Sequence, residues 1–96
     1  MYLKIHKAQH DVVVAVCDED LIGKTLEEGK YYIVVSEHFY KGEKKSAQEV
    51  EPILLQASNI NLMGKESVAV GLKLKIITKA HIVVIAGVPH AQIYAQ

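Results

Sequence analysis

Arginine is missing altogether: all eleven basic residues of this 96-residue chain are lysine. A guanidinium supplies the two-pronged fork that reads guanine edges and grips paired phosphate oxygens, so its absence argues against sequence readout of DNA. Lysine still neutralises phosphates as a point charge, which leaves backbone- or shape-directed binding open. Cysteine is nearly missing too. Cys17 stands alone, which excludes an intrachain disulfide and a cysteine zinc cluster and points to a reducing compartment. No long hydrophobic run occurs. Runs such as residues 82–86 fall far short of the roughly 20 residues that a membrane helix needs. The opening Met1-Tyr2-Leu3-Lys4-Ile5 reads as a strand and has neither the basic nor the apolar region of a signal peptide. These absences give the expectation of a cytoplasmic protein with no membrane partner.

Half of the residues are apolar, enough to build a core without staples, and the length suits a single domain over residues 1–96. The charge is balanced overall but not along the chain. Residues 1–51 hold seven lysines against ten carboxylates, a net of −3, whereas residues 52–96 hold four lysines against Glu66, a net of +3.

Tyr2, Lys4 and His6 alternate with Leu3 and Ile5, the period of a half-buried strand. A short turn leads to Val12–Cys17, β-branched and apolar on both faces, as a central strand would be. The two form a hairpin. Further strands are expected near 25–35, so that the first third reads as a four-stranded, mostly antiparallel unit. Ser36 opens a helical turn that stops at Gly42. Ser46-Ala47-Gln48-Glu49 fits a capping box, with Val50, Ile53, Leu54 and Ala57 at helical spacing behind it. Pro52 predicts a kink in this helix, or a start near Glu51. In residues 64–77 the apolar positions match the strand template and the helix template alike. Residues 82–86 read as a buried apolar strand, broken by Gly87-Val88-Pro89, with residues 90–94 pairing again at an edge. The fold class is α+β: a small, mostly antiparallel or mixed sheet with about two helices, near 47–58 and 65–75.

Five segments together resemble an archaeal family, domain of unknown function 424. They are Ala15-Val16-Cys17-Asp18, Leu21-Ile22-Gly23-Lys24-Thr25, Phe39-Tyr40-Lys41-Gly42-Glu43, Asn61-Leu62-Met63-Gly64 and Ile85-Ala86-Gly87-Val88-Pro89-His90-Ala91-Gln92. The resemblance spans nearly the whole chain, and the last segment is its most specific part. It implies a small α+β fold, favours helix for residues 65–75, and suggests a link to RNA or translation. Pro52 and Val70-Gly71 depart from the helices it leads one to expect.

Two constellations stand out as candidate sites. In the first, Gly87 and Pro89 stiffen the exit from a strand and present His90 and Gln92 on one side, where imidazole and amide could read a base edge, a peptide or a carboxylate. The plainer reading is a turn whose histidine is bonded within the fold. In the second, Asn59, Asn61 and Gly64 form a loop between two helices, with Lys65 at a helix start and Lys73 and Lys75 extending a basic patch that could hold an anion. The plainer reading is a pair of helix caps. The run Cys17-Asp18-Glu19-Asp20 reads as a solvated acidic turn, and its carboxylates would raise the thiol pKa. His6, His10, His38, His81 and His90 are too scattered for a zinc signature.

No catalytic residue, metal site or cofactor is expected. The leading expectation is a non-catalytic module that docks on RNA or a ribonucleoprotein through the lysines of the second half and residues 87–92. The alternative is a protein-interaction subunit or homodimer that uses an open sheet edge. A small enzyme with His90 as general base comes last, because no nucleophile accompanies it.

Overall fold

The computed structural model describes residues 1–94. Strands β1 (Tyr2–Lys7) and β2 (Val12–Cys17) form the expected hairpin, with Leu3 opposite Val16 and Ile5 opposite Val14. β2 then pairs in parallel with β6 (Asn59–Met63) on its other side. With both edges of β2 taken, β3 (Thr25–Glu28) and β4 (Tyr31–Val34) have no place beside it and form a separate two-stranded sheet. The expected four-stranded unit is therefore two hairpins in two sheets. The short β5 (Glu43–Lys44), β7 (Ile82–Ile85) and β8 (Val88–Tyr94) complete a six-stranded mixed sheet in the order β5-β1-β2-β6-β8-β7.

The sequence predicts a buried strand at residues 82–86 and an edge at 90–94; the topology exchanges their ranks, and within β7 only Ile85 is buried. β7 is the outermost strand, with Val83 and Val84 47% and 57% exposed, and β8 lies inside the sheet between β6 and β7. Pro89 is tolerated there because β6 has already ended. Its pairing with β8 stops at Met63↔His90, and the next residue, Gly64, donates its N–H to the Pro89 carbonyl and gives its own carbonyl to Val68. An N–H at position 89 would find no ladder acceptor.

Three helices flank the sheet. α1 (Glu37–Tyr40) is capped by Ser36, whose Oγ accepts from Phe39 N–H at 3.0 Å. α2 (Ala47–Gln56) opens with the expected capping box: Glu49 N–H donates to Ser46 Oγ, and Ser46 N–H donates to Glu49 Oε1. The helix starts at Ala47 rather than Glu51, and Pro52 lies within it on the exposed side. The ambiguous stretch resolves to helix α3 (Lys65–Lys73). Gly71, poor in a helix by propensity, is required by packing: a Cβ there would stand 2.6 Å from Leu62 Cδ1.

Each face of the large sheet buries its own cluster. On the helical face, Val50 and Leu54 of α2 and Val68 and Val70 of α3 pack on Leu3, Val14, Val16, Ile60, Leu62 and Ala91. On the hairpin face, Leu26, Val35 and Tyr40 cover Ala15, Cys17, Met63 and Ile85. Strand alternation assigns every side chain of β6 and β8 to one face or the other.

Candidate functional site

Ile60, Leu62 and Ala91 belong to the helical face, so Asn61, His90 and Gln92 point to the hairpin face. There the otherwise apolar layer holds a polar chain. Tyr40 Oη–H donates to Asn61 Oδ1 at 2.6 Å, and His90 Nε2 lies 3.1 Å from the same oxygen. Since Asn61 Oδ1 can only accept, His90 carries its proton on Nε2 and presents Nδ1 as its lone-pair nitrogen. Gln92 Nε2 stands 3.5 Å from the imidazole, and Tyr94 Oη–H donates to Gln92 Oε1 at 3.0 Å.

Burial pushes the His90 pKa below its ordinary value and keeps the ring neutral at pH 7. Burial is also the largest cause raising the Tyr40 phenol and the Cys17 thiol, the latter to about 12, with Asp18 and Asp20 adding to the effect on the thiol. A thiol so protonated is a packing group, not a nucleophile.

His90 and Gln92 open into a groove of about 300 Å³ between the two sheets, lined also by Tyr31, Ile33, His81, Val83 and Ile85. The His81 ring is held by Thr78 N–H, which donates to its Nδ1 at 2.9 Å. The turn above the groove is residues Ala86 and Gly87, both at positive φ (52° and 78°), the two-residue hairpin turn whose twist suits its strands.

The second constellation is rearranged. Asn59, Asn61 and Gly64 are not in a loop between helices: Asn59 and Asn61 lie in the central strand β6, and Gly64 is its exit. Asn59 lines a different cavity, of about 770 Å³, at the far end of the strand beside His10, Asp11 and the last turn of α2. The start of α3 does receive an anion, but an internal one. Asp18 reaches across from the end of β2, accepting from Glu66 N–H (2.9 Å), Ser67 N–H (2.8 Å) and Ser67 Oγ–H (2.7 Å). Gly64, at φ 108°, makes room for it, since a Cβ there would lie 2.3 Å from Asp18 Cγ. Asp18 is thus a buried helix cap rather than part of a solvated turn.

The lysines divide. Lys65 lines a cavity of about 220 Å³ with Gly87, Val88, Asp18 and Asp20. Lys73 Nζ donates to Glu51 Oε2 at 2.8 Å. Lys75, at φ 60°, ends α3: its N–H bonds to the Leu72 carbonyl and that of Ile76 to Gly71, a Schellman motif with lysine in the position glycine prefers. Because α3 packs on the helical face, Lys73 and Lys75 lie across the sheet from His90 and Gln92. Asn61, Gly64 and Lys65 therefore adjoin the first constellation, through His90, Pro89 and Gly87 respectively, whereas Lys73 and Lys75 do not share its surface.

The profile of the family described as protein of unknown function (DUF424) matches residues 6–95. The chain belongs to the DUF424 family. Its fold is similar to that of an uncharacterized conserved protein from Methanopyrus kandleri, known from a crystal structure, with a TM-score of 0.79, 28% identity, and coverage of 99% of this chain and 92% of that one. No curated protein matches the chain.

In this DUF424 chain the groove offers an imidazole lone pair, a primary amide and phenolic groups in an apolar setting. That set hydrogen-bonds and stacks. Among the described residues no three of His, Cys, Asp or Glu stand together as metal ligands, and no helix is long and apolar enough to cross a membrane. Tyr31, Tyr40 and His81 join His90 and Gln92 only through the fold. Strand parity predicts that His90 and Gln92 share a face, but no local signal in the sequence brings Tyr40 beneath them.

Proposed function

We propose that this DUF424 chain is a non-catalytic protein-interaction module that docks its partner at the end of the molecule formed by β4, β7 and β8. One observation carries the reading. Of the large apolar side chains that are exposed, Tyr31, Tyr32, Val34, Val83, Val84 and Tyr94 all lie on these three strands. Such side chains scattered singly are ordinary, but six of them on three strands, two of these on the unpaired edge strand β7, are the mark of a contact surface. The test is recovery of tagged protein from extract with and without nuclease. A protein partner is expected to survive nuclease and to be lost with Val84→Lys. Recovery unchanged by Val84→Lys would refute the reading.

A second reading, docking on RNA, is favoured by the groove itself, where Tyr31 and His81 could stack an unpaired base while Gln92 and His90 hydrogen-bond its edge. It ranks lower because Lys73 and Lys75 lie across the sheet, and because the anion position of α3 is filled by Asp18. A partner released by nuclease, with affinity that falls as salt rises, would restore it to first place.

A further inference from the structure

The groove between the two sheets holds polar groups that the fold leaves without partners. His90 donates through Nε2 to Asn61, and its Nδ1 bonds to no group among the described residues. No fully buried side-chain nitrogen or oxygen among those residues lacks a partner, so Nδ1 is open to solvent, and the groove is the opening that His90 lines. Gln92 gives its carbonyl oxygen to Tyr94. Its amide nitrogen faces an imidazole nitrogen that is itself a donor, so the amide N–H groups stay unpaired. His81 accepts from Thr78 N–H at Nδ1, which puts its own proton on Nε2. The groove therefore presents one acceptor and two donors. The rest of its wall is Tyr31, Ile33, Val83 and Ile85, and neither a lysine nor a carboxylate lines it. At about 300 Å³ it stands at the low end of cavities that hold small molecules, with room for one side chain rather than an extended segment.

We infer that this groove takes the side chain of a tyrosine presented by the protein partner, its hydroxyl donating to His90 Nδ1 and accepting from the Gln92 amide. This rests on the interaction reading above and names what the partner brings. The other side-chain classes each leave something unmet. A carboxylate or an ammonium would leave water for an apolar wall with no counter-charge. An aliphatic side chain would strip water from His90 Nδ1 and the Gln92 amide and give neither a partner. The indole of tryptophan only donates, so it would serve His90 and leave the amide unmet. Serine, threonine, histidine and the amides can pair both groups but bring little apolar body to cover Ile33, Val83 and Ile85. A phenol donates and accepts at one atom and carries the ring that those walls need. A nucleobase would pair both groups too, but its phosphate would arrive where no lysine lines the groove. Buried aromatic anchors of this kind carry much of the binding energy at protein interfaces.

The full chain, isotope-labelled for NMR, tests this with p-cresol, which is the tyrosine side chain as a free molecule. A saturable titration is expected to shift the backbone amides of Ile33 and Val83 together with the side-chain amide of Gln92. The probe p-methylanisole keeps the ring and the acceptor but has no O–H, and it should bind about tenfold more weakly, the worth of one hydrogen bond. His90→Phe should erase that difference between the probes. Gln92→Leu, at an exposed position whose change leaves the fold intact, should weaken p-cresol about fivefold. In extract, His90→Phe should reduce recovery of the nuclease-resistant partner, as Val84→Lys does. Shifts confined to other parts of the chain, equal binding of the two probes, or indifference to both substitutions would overturn the inference. Tighter binding of adenosine or uridine than of p-cresol in the groove would overturn it in favour of a nucleobase. A nuclease-resistant partner lost with Val84→Lys but recovered in full with His90→Phe would overturn it too, and would leave the interaction reading standing.

Discussion

Leu62 and Asn61 are neighbours on β6, yet one enters the helical face among Val14, Val50 and Leu54, and the other enters the hairpin face against Tyr40 and His90. The helical face is closed by aliphatic packing beneath two helices. The hairpin face combines aliphatic packing with hydrogen bonds, those of Tyr40 and His90 to Asn61 in the interior and that of Tyr94 to Gln92 at the exposed end. The difference teaches where to look for function. A layer that needs no polar group is finished when it is packed, whereas buried polar groups must be satisfied at every step and are retained where one end meets a partner.

The largest expected effect lies on the aliphatic side. Leu62→Ala should cost about 3 to 4 kcal/mol by opening a cavity, read as a lower urea midpoint. On the other face Asn61→Ala should cost less, about 2 kcal/mol, through the loss of the shared acceptor of Tyr40 and His90 rather than through volume. Equal losses for the two would erase the distinction between the faces. Pro52→Ala should move stability the other way, raising it by about 2 kcal/mol, because the helix lacks a hydrogen bond at an exposed interior position that packing on the helical face now tolerates. No gain in the urea midpoint would mean that the proline is matched to its turn.

The smallest effect is the most specific. Since burial lowers the folded-state pKa of His90, the unfolded chain takes up the proton first as pH falls. The contribution of His90 is therefore full above its unfolded value near 6.5 and is lost as pH drops through the lower folded value. Denaturation at pH 7.5 and at pH 5 should show this loss, and His90→Gln should remove it. An unchanged pH dependence in that variant would place the imidazole in water.

Sequence made some of this legible because the cause was local. The β1–β2 hairpin follows from alternation, and α2 follows from a serine and a glutamate three residues apart. Where the cause was distant, reading failed. Asn59 and Asn61 look like caps because asparagine so often is one, and nothing nearby reveals that Tyr40 and His90 will satisfy Asn61 inside a strand. Hydrophobicity marked residues 82–86 as a strand but could not report its rank in the sheet, which is decided by β8 entering between it and β6. The groove was half legible: His90 and Gln92 were picked out, while Tyr31 and His81 reach it only by topology.

The reach of Asp18 to α3 ties together stretches 48 and 49 residues apart. Gly64 has no side chain to offer its own helix, so the first turn of α3 waits for a carboxylate synthesised long before it. The last third of the polypeptide cannot be secured until the first fifth is in place, and a fragment that begins after residue 18 would leave that helix with an open end.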